Sequence, residues 1–420
     1  MINPGAKGWI NKYLHLIEKG EIVLELPQRP ILMKKMQFMH LIFAKTGIVY
    51  GYPLSFLFYK DIDTEHWTMD EKMRFLLFEC HIFTFLIQEE NIFSKEKFIA
   101  KLYDFYGCHN GYSVPKLIQK FIKEHTKEHR LEKILANRTD ISQRPLHKKV
   151  WISAMSNAFS FLDVLLFDEY IFHGERKALS NYESYAKNTM ISVILSANSD
   201  GVIQKSESSL FTIFLRSSDL PNRTKKELKD SLLNGVGFHD FDIVHLDNWL
   251  LKRFILDVAI LTVISNHEIE ETESQLLLKL CHFLSISKSE FEDSLSYAES
   301  FLFITEHEIQ SFLNSSSYSK IVHSLSKKWS KILHRNKSKI IQEITESKEL
   351  VHLLRKSKKE KLTSDEKYIV KSQMNDILKT FPALVIFMIP GGSLLLPILL
   401  KILPDFLPSS FKSNQIDSRK

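Results

Sequence analysis

The sequence predicts an all-α protein, and three observations support that prediction. Only seven of the 12 prolines lie in the first 380 residues, so few positions there would break a helix. Apolar residues recur at three- and four-residue spacing, the period of a helix that is buried on one face. Residues 197–215 and 263–281 repeat one pattern, in which an apolar helix precedes a polar turn and a Ser/Thr-Glu pair opens the next helix.

Composition narrows the class of protein further. The chain has 420 residues, of which 44% are hydrophobic and 25% charged, as expected for a folded protein of two or three domains. Its three cysteines form no CxxC pair, so we expect a reducing compartment and no disulfide framework. The N-terminus lacks the apolar core of a signal peptide, so export is not expected. No GxSxG, GxGxxG or GxxxxGK[ST] motif is found, so we predict that the protein is not an enzyme.

Two mostly apolar stretches fall in the predicted N-terminal helical domain, residues 1–175. They are residues 73–93 and 151–172, and charged side chains such as Glu79 and Asp163 interrupt both. Their uncharged runs are too short to cross a bilayer. The sequence therefore predicts buried helices here and not membrane spans.

The repeat has a constant offset of 66 residues. The matched pairs are Ile203 with Ile269, Ser206 with Thr272, and Glu207 with Glu273. Such a repeat predicts a pseudo-symmetric pair of helical hairpins. Its pattern resembles the "A…DG.I…E" signature of the tellurite-resistance-B-like (TerB-like) helical domain. We assign this predicted domain to residues 176–315.

The first copy of the repeat also fits a calcium-binding loop in part. The residues at loop positions 1, 3, 5, 6, 8 and 12 are Ser196, Asn198, Asp200, Gly201, Ile203 and Glu207. Calcium requires oxygen ligands at alternate positions, a glycine at the sharp turn and a final Glu, although a carboxylate is expected at position 1. We interpret Asn198, Asp200 and Glu207 as a weak calcium site, or Gly201 as the hinge of an interhelical turn. No other cofactor is predicted.

A second group of metal-type side chains lies in "GFHDFDIVHLDNW", residues 237–249. His and Asp at such close spacing would suit a metal ion. The alternative is a loop in which Asp242 or Asp247 caps the next helix. The capping interpretation is the simpler one.

Positive charge is concentrated near the C-terminus. Residues 320–379 contain 16 Lys/Arg and 7 Asp/Glu. A solvated helix face would explain this run, but it could also contact the phosphates of lipid or RNA; no DNA partner is expected. The candidate contact residues are Arg355, Lys356, Lys358, Lys359 and Lys361. Thr363 and Glu366 then form a capping-box pattern, which predicts that a helix begins near Ser364.

An apolar segment, residues 381–403, follows this helix. Residues 381–400 carry no charge, and at about 1.5 Å per residue they would just cross a hydrocarbon core of about 30 Å. Pro390-Gly391-Gly392 should break a helix near the middle. A kinked membrane span, a re-entrant hairpin and a hairpin buried in a soluble core all remain open.

At these residues the chain resembles a known family. "NDILKTFPALVIFMIPGGSLLLPILLKILPDFLPSSF" (375–411) looks like the membrane segment of the leucine-zipper/EF-hand-containing transmembrane (Letm) proteins of the mitochondrial inner membrane. Taken together with the TerB-like pattern, the whole chain resembles bacterial Letm-related, biofilm-associated proteins. The residues assigned to the membrane segment are Pro382, Pro390, Gly391, Gly392, Pro397, Lys401, Pro404 and Pro408.

The Letm resemblance implies a membrane protein that is linked to cation/proton exchange and whose soluble part binds ribosomes. The family carries a membrane-embedded Glu where this chain has Ser393. Proton-coupled exchange needs an ionisable residue within the bilayer, so this difference argues against exchange.

We therefore expect a non-enzymatic binding protein of the bacterial cytoplasmic (inner) membrane. Most of the chain would lie in the cytoplasm, and a basic Letm-like module, residues 316–420, would contact membrane lipids and the ribosome. The Lys/Arg bias before the apolar segment agrees with that orientation. The alternatives are a cation/proton exchanger and a soluble, metal-sensing TerB-like stress protein.

Overall fold

The protein divides into two units, Met1–Ile321 and Val322–Lys420. In the first unit the computed structural model describes residues 2–31, 33–59, 64–89, 93–107, 126–140, 157–174, 178–199, 203, 205–264 and 271–305. In the second it describes residues 342, 344, 346–356, 363, 365–366, 369–370 and 372–373. The described part contains helices and no β-strand, which confirms the predicted all-α class.

The first unit contains twelve α-helices within its described residues. They are α1 (Trp9–Glu18), α2 (Lys35–Thr46), α3 (Met69–Gln88), α4 (Lys95–Gly107), α5 (Lys127–Thr139), α6 (Ser160–His173), α7 (Tyr182–Ala197), α8 (Lys205–Ser217), α9 (Asn222–Asn234), α10 (Trp249–Ile264), α11 (Glu271–Leu284) and α12 (Lys288–Ile304). Short 3₁₀ turns lie at Ile48–Tyr50, Ala178–Asn181, Phe238–Asp240 and Ile243–His245.

Helix α3 is the central element of the N-terminal part and packs against α5 and α6. It begins with a capping box between Thr68 and Glu71, and most of its side chains from Met73 to Leu86 are buried. Within the apolar stretch 73–93, the residues up to Gln88 therefore form a largely buried helix, as predicted. Across the described ranges, no helix combines the length and the apolar character that a bilayer crossing requires. The apolar segment at 381–403 lies outside those ranges.

A distant carboxylate caps helix α1. Gly8 precedes the helix with a φ of 88°, and no side chain of its own segment caps the first turn. Instead, the Glu132 carboxylate of α5 accepts hydrogen bonds from the Gly8 amide at 3.0 Å and the Ile10 amide at 3.1 Å. A carboxylate here satisfies free amides and complements the positive end of the helix dipole. This contact positions α1 on α5.

The internal repeat is longer than predicted. Helices α7, α8 and α9 correspond at the 66-residue offset to α10, α11 and α12, so each copy contains three helices and not two. The copies also share a turn: Asp219 after α8 and Ser285 after α11 have φ values of 54° and 57°. Non-glycine residues with positive φ are uncommon, so their recurrence at equivalent positions supports a true structural repeat.

Equivalent hydrogen bonds join the first and third helices of each copy. The Thr224 hydroxyl donates to the Glu183 carboxylate at 2.6 Å. In the second copy the Trp249 indole N–H donates to the Glu290 carboxylate at 3.0 Å. The acceptor Glu183 lies on the first helix of its copy, whereas the acceptor Glu290 lies on the third helix of the other copy. The same two positions are in contact in both copies. Between the copies, α7 packs on α10, where the Ser192 hydroxyl donates to the Ile255 carbonyl at 3.3 Å.

The loop before α10 corrects one prediction. Neither Asp242 nor Asp247 caps this helix; the Asn248 side-chain oxygen accepts from the Leu251 amide at 3.0 Å. Asp242 instead accepts from the His245 ring at 2.7 Å. A cap must immediately precede the helix, and Asn248 is the residue before Trp249. In the described ranges, which include all of 237–249, no three His, Cys, Asp or Glu side chains could together hold a metal ion.

Buried His81 makes the stability of the fold pH-dependent. Burial lowers the pKa of His81 from its usual 6.5 to about 4. The unfolded chain therefore takes up this proton near pH 6.5, whereas the folded chain does not until about pH 4. Above pH 6.5 this histidine does not lower the free energy of unfolding. As the pH falls from 6.5 to 4, the free energy of unfolding decreases by up to about 1.4 kcal/mol per pH unit.

We expect His81→Phe to flatten the fall in unfolding free energy between pH 6.5 and pH 4. The measurement is urea unfolding at pH steps across this window. His239→Gln is the control, because His239 is 86% exposed and should leave the slope unchanged. Equal slopes in wild type and His81→Phe would contradict the assignment.

Candidate functional site

The described part of the second unit contains a helical segment, α13 (Lys348–Lys356). Ser347 precedes it, and the Ser347 hydroxyl accepts from the Leu350 amide at 3.2 Å, so it acts as the N-cap. One face of the helix is apolar and buried, with Leu350 0%, Leu353 6% and Leu354 4% exposed. Such a face must pack against a second element.

That second element begins with the predicted capping box. The Thr363 hydroxyl accepts from the Glu366 amide at 3.3 Å, and the Glu366 carboxylate accepts from the Thr363 amide at 2.9 Å. The described residues 365–366, 369–370 and 372–373 are helical. Val370 is fully buried. The prediction of a helix that begins near residue 364 is confirmed.

Three polar contacts join the two helical segments. Lys356 forms an ion pair with Glu366 at 2.6 Å. At the other end, the Ser347 hydroxyl donates to the Gln373 side-chain oxygen at 2.6 Å, and the Gln373 amide donates to the Glu349 carboxylate at 2.5 Å. The C-terminal end of α13 thus faces the start of the second segment. The two segments form an antiparallel hairpin, which we call the basic hairpin (residues 347–373).

One of the candidate basic residues, Lys356, is held by an ion pair within the basic hairpin. The hydrogen bond from Lys356 and that from the Thr363 amide hold the pKa of Glu366 below its usual value. The carboxylate therefore stays ionised and offsets the charge of Lys356. Arg355 lies in α13, one residue before Lys356. Lys358, Lys359 and Lys361 and the whole proposed membrane segment lie outside the described residues.

The structure describes only part of the proposed calcium site. Ser196 is buried in the last turn of α7. The side-chain amide of Asn198 donates to the Ile194 carbonyl at 3.0 Å. Glu207 lies in α8 and is 3% exposed. Asp200 and Gly201 lie outside the described residues, so the calcium site stays a prediction.

One buried polar group was not predicted. His40 of α2 contacts Asp257 of α10 at 2.6 Å, and both side chains are buried. The signal that could have found it is the placement of Arg253 and Asp257, one turn apart, in the mostly apolar helix α10. Charged residues in such a run are usually paired.

Comparison with known proteins identifies the C-terminal segment. The family described as "LETM1-like, RBD" matches residues 362–420, and the match begins at the second segment of the basic hairpin, one residue before its cap Thr363. No curated protein and no solved structure matches the chain. The match covers a small C-terminal part of the 420 residues. Residues 362–420 are therefore similar to the LETM1-like, RBD family.

Proposed function

We propose that the protein is a non-enzymatic binding protein that holds the ribosome through its C-terminal module. The observation that carries the proposal is the family match at residues 362–420, directly preceded in sequence by Lys358, Lys359 and Lys361. Lysines attract phosphates without regard to sequence, and ribosomal surfaces are rich in RNA phosphate. A basic run next to a domain of this family suits such a partner.

We propose separate roles for these lysines. Lys356 is bound to Glu366 and serves to join the two helical segments. We assign phosphate contact to Lys358, Lys359 and Lys361, which follow α13 in the sequence, with Arg355 as a further contributor. This division predicts different outcomes for changes at Lys356 and at the three later lysines.

Charge reversal of these three lysines should weaken ribosome binding. Each lost phosphate contact lowers the slope of log affinity against log salt by about 0.7–0.9, so the triple change to Glu should lower it by roughly 2–3. At physiological salt we expect the affinity to fall by roughly tenfold or more. The measurement is co-sedimentation of the full chain with ribosomes over a salt series.

A matched triple variant separates this contact from a general charge effect. Lys226, Lys229 and Lys288 are exposed on the first unit, and their change to Glu alters net charge equally. This control should bind as the wild type does. Equal loss in both variants, or no loss in either, would overturn the assignment to Lys358, Lys359 and Lys361.

We further propose that residues 381–403 embed in the bacterial cytoplasmic membrane, with most of the chain on the cytoplasmic side. The absence of charge from residue 381 to residue 400 supports this proposal. In alkaline-carbonate fractionation, full-length protein should stay in the membrane pellet and a chain ending at Thr380 should be released. Release of both, with both folded, would mean that the segment is not embedded.

A further inference from the structure

Several buried side-chain polar atoms in the first unit have no hydrogen-bond partner among the described residues, and three of them belong to one junction between helices. These three are the Tyr50 hydroxyl, the Arg253 Nη2 atom and the Asp257 Oδ1 atom. Tyr50 is 0%, Arg253 1% and Asp257 0% exposed. Buried polar atoms without a partner are rare, and three that belong to one junction between helices point to a bound group.

Packing places these residues at one junction. Arg253 and Asp257 lie one turn apart on α10. The Tyr50 ring lies 4.4 Å from the Phe301 ring of α12, measured between centroids. His40, which contacts Asp257, lies 5.5 Å from Tyr297, one turn before Phe301. The junction is thus formed by α2 with its following 3₁₀ turn, α10 and α12.

Two other polar atoms of these side chains already have partners. Asp257 Oδ2 contacts the His40 ring at 2.6 Å, and the Arg253 Nε atom donates to the Ser294 hydroxyl at 3.1 Å. Burial raises the pKa of the Tyr50 hydroxyl, and the nearby Asp257 charge raises it further, so Tyr50 stays protonated. What remains are the N–H donors of Arg253 Nη2, the acceptor Asp257 Oδ1, and a Tyr50 hydroxyl that can donate or accept.

A single water molecule matches this set. Its oxygen can accept from Arg253, one hydrogen can donate to Asp257, and Tyr50 can supply the third bond. Because the charges of Arg253 and Asp257 offset each other, a neutral ligand adds no uncompensated buried charge, whereas an ion would. We propose that Tyr50, Arg253 and Asp257 bind one internal water molecule, which joins the turn after α2 to α10.

Thermal unfolding of Tyr50→Phe in the full chain tests the proposal. If the hydroxyl binds a water, its loss should lower Tm by about 1–2 °C. Tyr182→Phe is the matched reference, because the Tyr182 hydroxyl is also buried and donates to the Ser218 carbonyl at 3.0 Å. An unchanged or raised Tm for Tyr50→Phe, with a lowered Tm for Tyr182→Phe, would overturn the proposal.

A crystal structure of the full-length protein at a resolution that shows ordered water gives the second test. We expect one spherical peak within hydrogen-bond distance of Tyr50 Oη, Arg253 Nη2 and Asp257 Oδ1. The peak should be lost in Tyr50→Phe or should contact only the other two atoms. Direct bonding of Tyr50 to Asp257, or density larger than one water, would overturn the single-water assignment.

Discussion

Replacement of Arg138 by alanine should lower the free energy of unfolding by about 3–5 kcal/mol, because it leaves a buried carboxylate without its counter-charge. Arg138 of α5 donates two hydrogen bonds to Asp163 of α6, from Nε at 2.7 Å and from Nη2 at 2.5 Å. Asp163 is fully buried, and the Tyr106 hydroxyl also donates to it at 3.0 Å. Chemical denaturation of the full chain, followed by circular dichroism, measures the loss.

A surface pair and a double variant serve as controls. Arg223 is 91% exposed and pairs with Glu227, so Arg223→Ala should change the free energy of unfolding by less than about 0.5 kcal/mol. Changing Arg138 to Met and Asp163 to Leu together should restore most of the lost stability, because no unpaired buried charge remains; Asp219, the other partner of Arg138, is 59% exposed. If Arg138→Ala costs no more than Arg223→Ala, the buried pair does not stabilise the fold.

The same arginine links the N-terminal helices to the repeat. Arg138 Nη1 donates to Asp219 at 2.7 Å, in the turn that follows α8. Its guanidinium lies 4.9 Å from the centre of the Tyr182 ring at the start of α7. Like the contact between His40 and Asp257, this network crosses residue 175, where the sequence predicts a domain boundary. The N-terminal helices and the repeat thus share buried polar contacts within the first unit.

Local signals explain what could be predicted of the fold. Helical periodicity and caps depend on residues three or four apart. The helical class and the capping box of Thr363 and Glu366 could therefore be predicted from the sequence alone. The third helix of each repeat was missed because its buried positions differ: Leu228 and Leu232 correspond to Ser294 and Ala298. Aligning the apolar residues of the two copies therefore cannot detect that the third helices correspond, although the backbone structure shows that they do.

Contacts between distant segments could not be predicted. Arg138 and Asp163 are 25 residues apart, and His40 and Asp257 are 217 apart. In the sequence Asp163, His40 and Asp257 are only interruptions in apolar runs, and Arg138 is one of several charged residues in α5. The same limit applies to the candidate site, where the cap was predicted but the ion pair of Lys356 with Glu366, whose partners are 10 residues apart, was not.

The second large effect is expected at Glu79 of α3. This fully buried carboxylate accepts from the Tyr13 hydroxyl at 2.8 Å and from three consecutive backbone amides, those of residues 57–59. Glu79→Leu would leave all four donors unsatisfied, at about 1–3 kcal/mol each. We therefore expect a loss of at least about 4 kcal/mol in the free energy of unfolding.

Further substitutions separate the contribution of the Glu79 acceptor oxygens from the contribution of side-chain packing. Glu79→Gln keeps one acceptor oxygen but places an N–H₂ group against donors, so its loss should be intermediate. Tyr13→Phe removes only one donor and should cost least. Glu292→Leu is the control for a change of Glu to Leu, because Glu292 is 63% exposed. If Glu79→Leu were no worse than Glu79→Gln, packing and not the accepted hydrogen bonds would hold the 57–59 segment on α3.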